Sequence, residues 1–302
     1  MATKIHVGLE IGTSKICMVV GEVKSDGSVK ILGVGQTKSV GVRKGEIYDF
    51  PQVRACVKDA LVKAEDASDV EIGSVFLAVT GAHIQGVNHR GSFRLPDGED
   101  TIEPEHVREA KEIARSVAIP PDHVYLHHII RKFGVDGFEH ASSPVGLSGK
   151  TVDADFHVVH GIRSRIENQI KCVREMPLDV DDLVFSPLAT SQVALDREAR
   201  ERGALVIDIG GGTTDYALYC DGAIEASGCI PVGGDHITND IHLVTGLPFS
   251  KAELLKVREG DASGDPARGV GVVKVTDEKG FSDAEVKRQL LNDIIRQRLE
   301  ET

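Results

Sequence analysis

The chain is predicted to be an α/β protein of two lobes, with a small α+β domain inserted in the first. Three observations carry this reading. At 302 residues and 41% apolar composition, the chain exceeds one ordinary hydrophobic core, and chains of that size divide into lobes. A unit of apolar strand, acidic residue, glycine-threonine turn and second strand occurs twice, at residues 5–23 and 204–219. Repetition of a whole supersecondary unit points to internal duplication. From about residue 82 to 161 the texture changes to a histidine-rich segment with its own helix and strands.

The elements follow from local pattern. Residues 5–9 read as an apolar strand ending in Glu10, and residues 16–23 resume strand character after the turn Gly12-Thr13-Ser14-Lys15. A third strand spans 29–36. Pro51 opens a helix whose Val53, Cys56, Val57, Ala60, Leu61 and Ala64 line one face, and 74–80 returns as a strand. This order fits a mixed sheet with helices packed on it. In the insert, a turn at 96–98 precedes a helix from Pro104 that buries Val107, Ala110, Ala114 and Val117. Return strands are expected at 124–132 and 151–160. Ile162, Ile166, Ile170 and Val173 then mark a helix, and 183–185 a strand. A connecting helix runs from Pro187 through Arg200 to a stop at Gly203.

Beyond the second hairpin come a strand at 223–230 and a helix holding Ile237, Ile241 and Val244. A second helix starts at Ser250, a strand lies at 269–275, and a final helix at 282–302 turns Val286, Leu290, Ile294 and Ile295 inward. The resulting division is 1–81 and 162–200 for the first lobe, 82–161 for the insert, and 201–231 and 232–302 for the second lobe and its small subdomain.

The chemistry concentrates in the two hairpins. Leu205, Val206, Ile207 and Ile209 read as a buried strand, and Gly210, Gly211 and Gly212 as a turn of positive φ whose bare amides face an anion. Thr213 and Thr214 add hydroxyl donors. Asp208, at the strand end, is placed to hold a hydrated magnesium ion. Aligning Glu10 with Asp208 and Gly12 with Gly210 gives each turn one end of a polyphosphate. Glu253 and Lys256, three apart on one helix, share a face; a ribose and adenine wall and a solvated ion pair both fit that spacing.

Other features exclude functions. With 35 basic against 47 acidic side chains, the net charge of −12 repels nucleic acid and anionic lipid. Cys17, Cys56, Cys172, Cys220 and Cys229 form no CxxC pair and read as reduced core residues in a cytoplasmic protein. The start of the chain lacks the apolar core of a signal peptide, and no apolar run is long enough to span a bilayer. The run Gly146-Leu147-Ser148-Gly149-Lys150-Thr151 imitates a phosphate loop, but Pro144 stands where that motif has glycine and a strand follows instead of a helix. His123, His127 and His128 are strand-spaced without cysteine or carboxylate ligands at zinc-site intervals, so they read as surface or interface histidines.

The segments Glu10-Ile11-Gly12-Thr13-Ser14-Lys15, 187–195 and Asp208 to Asp215 together resemble the two phosphate motifs and connecting helix of the actin and Hsp70 ATPase superfamily. Within it, the runs VGLEIGTSK (7–15), SPVGLSGKTVDADFHVVHG (143–161) and PVGGDHITNDI (231–241) resemble the FtsA family of bacterial cell division proteins. The resemblance implies an actin-like (ribonuclease H-like) fold with the insert in its first lobe. It implies that Gly12, Thr13, Ser14, Lys15, Gly210, Gly211, Gly212, Thr213 and Thr214 grip the phosphates of ATP, with Glu10 and Asp208 holding Mg2+ through water. Gly234, Glu253 and Lys256 would meet the adenosine.

As partners the resemblance implies the C-terminal tail of FtsZ, further copies in a filament, later division proteins through the insert, and the inner face of the cell membrane at midcell. An acidic tail would seek Lys287, Arg288, Gln289 and Arg296 on the last subdomain. The superfamily's second adenosine loop, a glycine pair, and the family's terminal membrane helix have no counterpart up to Thr302. A truncated gene or fragment, or a lineage lacking both, would explain this, and nucleotide affinity is expected to fall below that of a complete member. Hydrolases of the superfamily place glutamate or glutamine where Ser186 and Pro187 stand, with Gln192 the nearest substitute, so weak or absent ATPase activity is expected. Two further readings stay open: an ATPase or kinase-type enzyme, and a pilus-assembly ATP-binding relative.

Overall fold

A computed structural model describes residues 4–140, 143–276 and 282–302. Contacts divide the chain into two compact units: one holds the residues up to Asp208 together with Thr213–Pro231, the other Ile209–Gly212 and Val232–Thr302.

The first unit opens with β1 (Lys4–Ile11), β2 (Lys15–Val23) and β3 (Val29–Lys38) as an antiparallel meander, then the short pair β4 (Val42–Arg43) and β5 (Glu46–Ile47). Helix α1 (Phe50–Ser68) is capped by Asp49, whose carboxylate accepts from the Gln52 N–H, and its Val53, Val57, Ala60, Leu61 and Ala64 are buried. It lies so close to β3 that only glycine fits beneath it: a Cβ on Gly35 would stand 1.9 Å from the Ala60 carbonyl oxygen. Strand β6 (Ser74–Val79) runs parallel to β1. Leu9, Ile11, Ile16, Met18, Val20 and Leu77 form the core of this sheet.

The insert follows as β7 (Ile84–Arg94), α2 (Pro104–Arg115), β8 (His123–Val135), β9 (Phe138–His140) and β10 (Thr151–Ile162). Strand β10 is buried along nearly its whole length because β7 and β8 flank it and α2 covers one face. The length of β7 is not legible from local pattern. Its Gly91 is read only from outside, by the Ala114 N–H 2.2 Å from where a Cβ would be. Gly146 (φ 88°) sits in a turn, and the Lys150 N–H donates to Asp136, so the false phosphate loop is a hairpin closure leading into β10. His123 and His160 meet through their Nδ1 atoms at 2.8 Å, and His127 Nε2 accepts from the Phe185 N–H. His123 and His127 are therefore half-buried and hydrogen-bonded where strands of the chain meet, which leaves the interface alternative and removes the surface one.

The chain continues with α3 (Arg163–Arg174), β11 (Asp179–Phe185), α4 (Ser186–Ala194) and α5 (Arg197–Arg202). The single connecting helix expected over 187–200 is two helices, because Leu195 is extended and Asp196 caps a new start by accepting from the Ala199 N–H. Strand β11 completes the five-stranded order β11-β6-β1-β2-β3. Strands β12 (Ala204–Ile209), β13 (Thr214–Cys220) and β14 (Ala223–Ile230) join the insert in a seven-stranded sheet, β12-β13-β14-β7-β10-β8-β9. The β14–β7 seam is a single residue pair, Gly228 opposite Gln85. Side chains complete it: Asn88 donates to the Glu225 carbonyl, Arg131 donates to the Ile224 carbonyl and pairs with Asp155, and His157 bridges Asn88 and Ser227. In β12 burial alternates: Val206 is buried, while Leu205, Ile207 and Ile209 on the opposite face are 55%, 54% and 66% exposed, contrary to the fully buried strand expected. All five cysteines are free, but only Cys172 is buried and Cys220 is exposed.

The second unit contains α6 (Gly234–Thr245), α7 (Phe249–Glu259), β15 (Val272–Thr276), β16 (Ser282–Lys287) and α8 (Arg288–Glu301) around Ile241, Leu255, Val273, Val286, Leu291 and Ile294. Three details differ from expectation. Val286 reaches this core from a strand, because 282–287 pair with β15 before the helix begins, and Val244 and Leu290 are exposed, 56% and 41%, on the outer faces of their helices. Among the described residues no helix is long and apolar enough to cross a membrane.

Candidate functional site

The first unit assembles a set of carboxylates at its two hairpins. At the β1–β2 turn the Gly12 N–H donates to the Lys15 carbonyl at 3.0 Å, and a Cβ on Gly12 would stand 2.8 Å from that oxygen. Glycine is required here by closeness. The Thr13 hydroxyl oxygen accepts from the Gly45 N–H at 3.0 Å, which fixes the turn and leaves its proton available to an anion. Ser14 and Lys15 are exposed.

At the second hairpin Asp208 accepts from the Thr190 hydroxyl of α4 at 3.0 Å. Both Asp215 oxygens lie against the Thr80 hydroxyl, at 2.6 and 2.7 Å. A hydroxyl has one hydrogen, so the second short contact is favourable when Asp215 carries a proton. Burial pushes the Asp215 carboxyl above its ordinary range, with the Thr80 and Cys229 hydrogen bonds opposing and the Asp208 charge adding. Burial raises Glu10 likewise, Lys15 opposing and Asp208 and Asp215 adding.

Thr80, Thr190 and Asp215 were not among the expected site residues. Only Asp215 carried a sequence signal, as the acid closing the Asp208 to Asp215 motif.

These carboxylates are a store of instability. A carboxyl whose pKa is higher folded than unfolded holds its proton more tightly in the fold, so stability falls as pH rises from the ordinary value through the raised one. The penalty is absent in acid and grows as pH rises toward neutral. Asp215→Asn is expected to raise the thermal midpoint at neutral pH, an advantage that disappears as pH falls toward the ordinary carboxylate range. A gain that does not change with pH in calorimetric scans would refute this account.

Among the described residues no three His, Cys, Asp or Glu side chains are grouped to chelate a metal ion. The pair Glu10 and Asp208 matches a different demand, since Mg2+ keeps much of its water and is held by one or two carboxylates together with phosphate oxygens.

The second unit carries the glycine turn. Gly210, Gly211 and Gly212 do not adopt the positive φ expected of them; the left-handed glycines around the hairpin are Gly203 (φ 93°) and Gly222 (φ 77°). Their bareness serves close packing. The Gly210 and Gly211 carbonyls accept from the Gly234 and Asp235 N–H groups at 2.9 and 2.8 Å, seating the start of α6 on the turn. A Cβ on Gly233 would stand 2.5 Å from the Gly210 oxygen. Against the same helix start lies Lys256 of α7, whose ammonium donates to the Gly234 carbonyl at 3.0 Å and pairs with Glu253 at 2.7 Å. Gly210, Gly234, Glu253 and Lys256 are thus one connected group, joined by Thr238, which the sequence did not single out. Thr213 and Thr214 are buried, and Thr214 stands opposite Ile230 in the β13–β14 ladder.

The remaining expected residues sit elsewhere in the second unit. Arg288 pairs with Glu259, Gln289 donates to Asp293, and Arg296 pairs with Asp293 at 3.0 Å. Lys287 ends β16 and is exposed. Gln289 and Arg296 line a pocket of about 150 Å³ with Asp261, Asp265 and Asp293.

Solved structures share this architecture. The chain superimposes on a protein of the PilM–PilN type IV pilus biogenesis complex with a TM-score of 0.63 and 16% identity, covering 98% of this chain and 73% of that one. MreB5 of Spiroplasma citri bound to ADP gives 0.52 and 15%, covering 99% and 76%. Two acid-bearing hairpins on such a fold define the class: an α/β protein of the actin-like ATPase fold, with an insert.

Within that class the sequence relatives are specific. The family model described as cell division protein FtsA matches residues 205–294, and that of the SHS2 domain inserted in FtsA matches 81–160. The FtsA of Escherichia coli is 39% identical over 298 residues, 99% of this chain and 70% of that protein; that of Pseudomonas aeruginosa is 34% identical, covering 99% and 71%. The chain belongs to the FtsA family of cell division proteins.

Proposed function

We propose that the chain binds ATP with Mg2+ as a conformational ligand and acts as an adaptor of the division ring. In this reading it self-associates into filaments, links FtsZ to the inner face of the cell membrane at midcell, and recruits later division proteins through the insert. The observation that carries the nucleotide reading is the pair of hairpin ends. Gly12, Thr13, Ser14 and Lys15 follow Glu10 at one hairpin, and Gly210, Gly211, Gly212 and Thr213 follow Asp208 at the other, with Thr214 opening the next strand. Nucleotide-bound MreB5, with ADP or AMPPNP, has the same fold.

Glu10 and Asp208 would hold the hydrated cation, which when bound neutralises phosphate charge. The protein's own groups then orient the nucleotide, with hydroxyl and amide donors to the phosphates and Lys15 as a mobile cation. Calorimetry with Mg·ATP tests this: Asp208→Ala is expected to weaken binding at least tenfold, the scale of a lost charged contact. Equal affinity would sink the assignment.

Use of ATP as a switch rather than a consumed substrate is supported by what surrounds α4. Ser186 and Pro187, at the positions where hydrolases of the superfamily carry glutamate or glutamine, are buried, and the Gln192 side-chain oxygen accepts from Arg200.

For the FtsZ tail, Arg288 and Arg296 are the cations to test, and their surroundings define the competition. An acidic tail has to displace Glu259 and Asp293 and approach a pocket with three carboxylates. Reversal of both, Arg288→Glu with Arg296→Glu, is expected to lower affinity for the tail peptide roughly tenfold at low salt, and by less at high salt. Unchanged affinity in fluorescence anisotropy would move the tail site elsewhere.

A further inference from the structure

We propose that the insert is a releasable module, fastened to the β13–β14 hairpin by a histidine latch that is closed while His157 is neutral and opens in acid. The backbone gives this join little strength. Of the eleven residues of β7, only Gln85 pairs with β14, whereas the whole strand pairs with β10.

His157 spans the join from one strand further away. It stands on β10 opposite Asn88, 1% exposed, and its ring reaches across β7 to β14, with Nδ1 2.6 Å from Asn88 Oδ1 and Nε2 2.7 Å from the Ser227 hydroxyl. Gly86 makes the crossing possible. A Cβ there would stand 2.6 Å from both Cε1 and Nε2 of His157 and 2.8 Å from the Ser227 oxygen. Because β13 opens with Thr214 and carries Asp215, the latch joins the insert to the hairpin of the candidate site.

The hydrogens of the latch follow from its partners. The Asn88 amide nitrogen donates to the Glu225 carbonyl at 2.8 Å, so its oxygen faces the imidazole and Nδ1 carries the ring hydrogen. Nε2 of the neutral ring then accepts from Ser227. Protonation reverses that bond, forces the buried Ser227 to turn its own hydrogen elsewhere, and sets a second cation near Arg131. The nearby carboxylates are already engaged: Asp155 pairs with Arg90 and Arg131, and Glu225 pairs with Arg131. His127 accepts from the Phe185 N–H, and His89 meets the Ala114 carbonyl on the α2 side.

Burial, and after it the Arg131 charge, pushes His157 from 6.5 down to about 4. A histidine lowered by closure keeps its latch at full strength above the ordinary value and loses it as pH falls toward the lowered one.

NMR of the whole chain with isotope-labelled histidine and serine tests the latch. At neutral pH the His157 ring nitrogens are expected to show the Nδ1–H tautomer, with a cross-relaxation contact to the Ser227 Hβ protons. As pH falls from 6.5 toward about 4 the contact should vanish in step with ring protonation, and the amide shifts of 224–227 should move with it. Gly86→Ala should abolish the contact already at neutral pH. His157→Gln, which does not titrate, should remove the pH response of 224–227. Ser227→Ala reads the same point through a smaller change, its His157 titrating closer to 6.5. A wild-type contact that persists once the ring is protonated, an Nε2–H tautomer at neutral pH, or a His157→Gln variant whose 224–227 shifts follow pH as in wild type overturns the proposal. So does a Ser227→Ala variant whose His157 titrates as in wild type.

Discussion

Gly35→Ala is expected to destabilise the first unit by roughly 3 kcal/mol or more, since even ordinary overpacking costs about 1–3 kcal/mol. The added Cβ would lie 1.9 Å from the Ala60 carbonyl oxygen, 2.5 Å from the Ala64 N and 2.9 Å from the Ala64 Cβ, all parts of α1 rather than the far end of a flexible side chain. Relief to 3.0 Å means moving a 19-residue helix by about 1 Å. That displacement opens the contact that covers Met18, Val20, Val53 and Val57, each wholly buried. At roughly 2–4 °C per kcal/mol the thermal midpoint should fall by about 10 °C. Gly8→Ala is the control: in the same sheet nothing lies within 4 Å of its Cβ, and replacing a flexible residue there is expected to be neutral or mildly stabilising. Equal midpoints for the two variants would show that the α1–β3 contact does not limit the stability of this sheet.

Gly233→Ala is expected to remove most nucleotide affinity while leaving the five-stranded sheet intact. Gly233 is extended (φ −161°), so alanine is not strained by its backbone. The obstacle is contact: a Cβ would stand 2.5 Å from the Gly210 oxygen and 2.7 Å from the Gly211 oxygen. Those two carbonyls are the acceptors for the Gly234 and Asp235 N–H groups. Pushing them apart unseats α6 from the glycine turn and shifts Gly234, to which Lys256 is bound. A loss of about ten- to hundredfold in affinity corresponds to the one or more hydrogen bonds broken. Circular dichroism close to wild type, together with unchanged Mg·ATP binding, would show that the seating of α6 is irrelevant to the ligand.

Glu10, Gly12, Asp208 and the three glycines are legible in the sequence because the chemistry is local: acid, turn and hydroxyl lie within a few residues of one another, and the unit occurs twice. Glu253 and Lys256 are legible as a pair because three residues of helix bring them to one face. Their partners are not. Thr80 reaches Asp215 across 135 residues of chain, and Thr190 and Thr238 are ordinary helix threonines until the fold places a carboxylate beside each. The break in the connecting helix and the strand ahead of the final helix are hidden for a related reason. Apolar spacing does not record that Asp196 starts a new helix, or that residues 282–287 have β15 to pair with.

By itself the sequence determined the fold class, the duplicated hairpins, the insert and the acids at the turns, since strand alternation, glycine placement and helix caps are properties of neighbours in the chain. Only the tertiary structure decided what those groups do once assembled. It set glycine's role at Gly233 as closeness rather than turning, and it used all three donors of Lys256. Burial beside like charges raised Glu10 and Asp215. Each of these depends on distances between segments remote in sequence, where burial and hydrogen-bond saturation are set by packing.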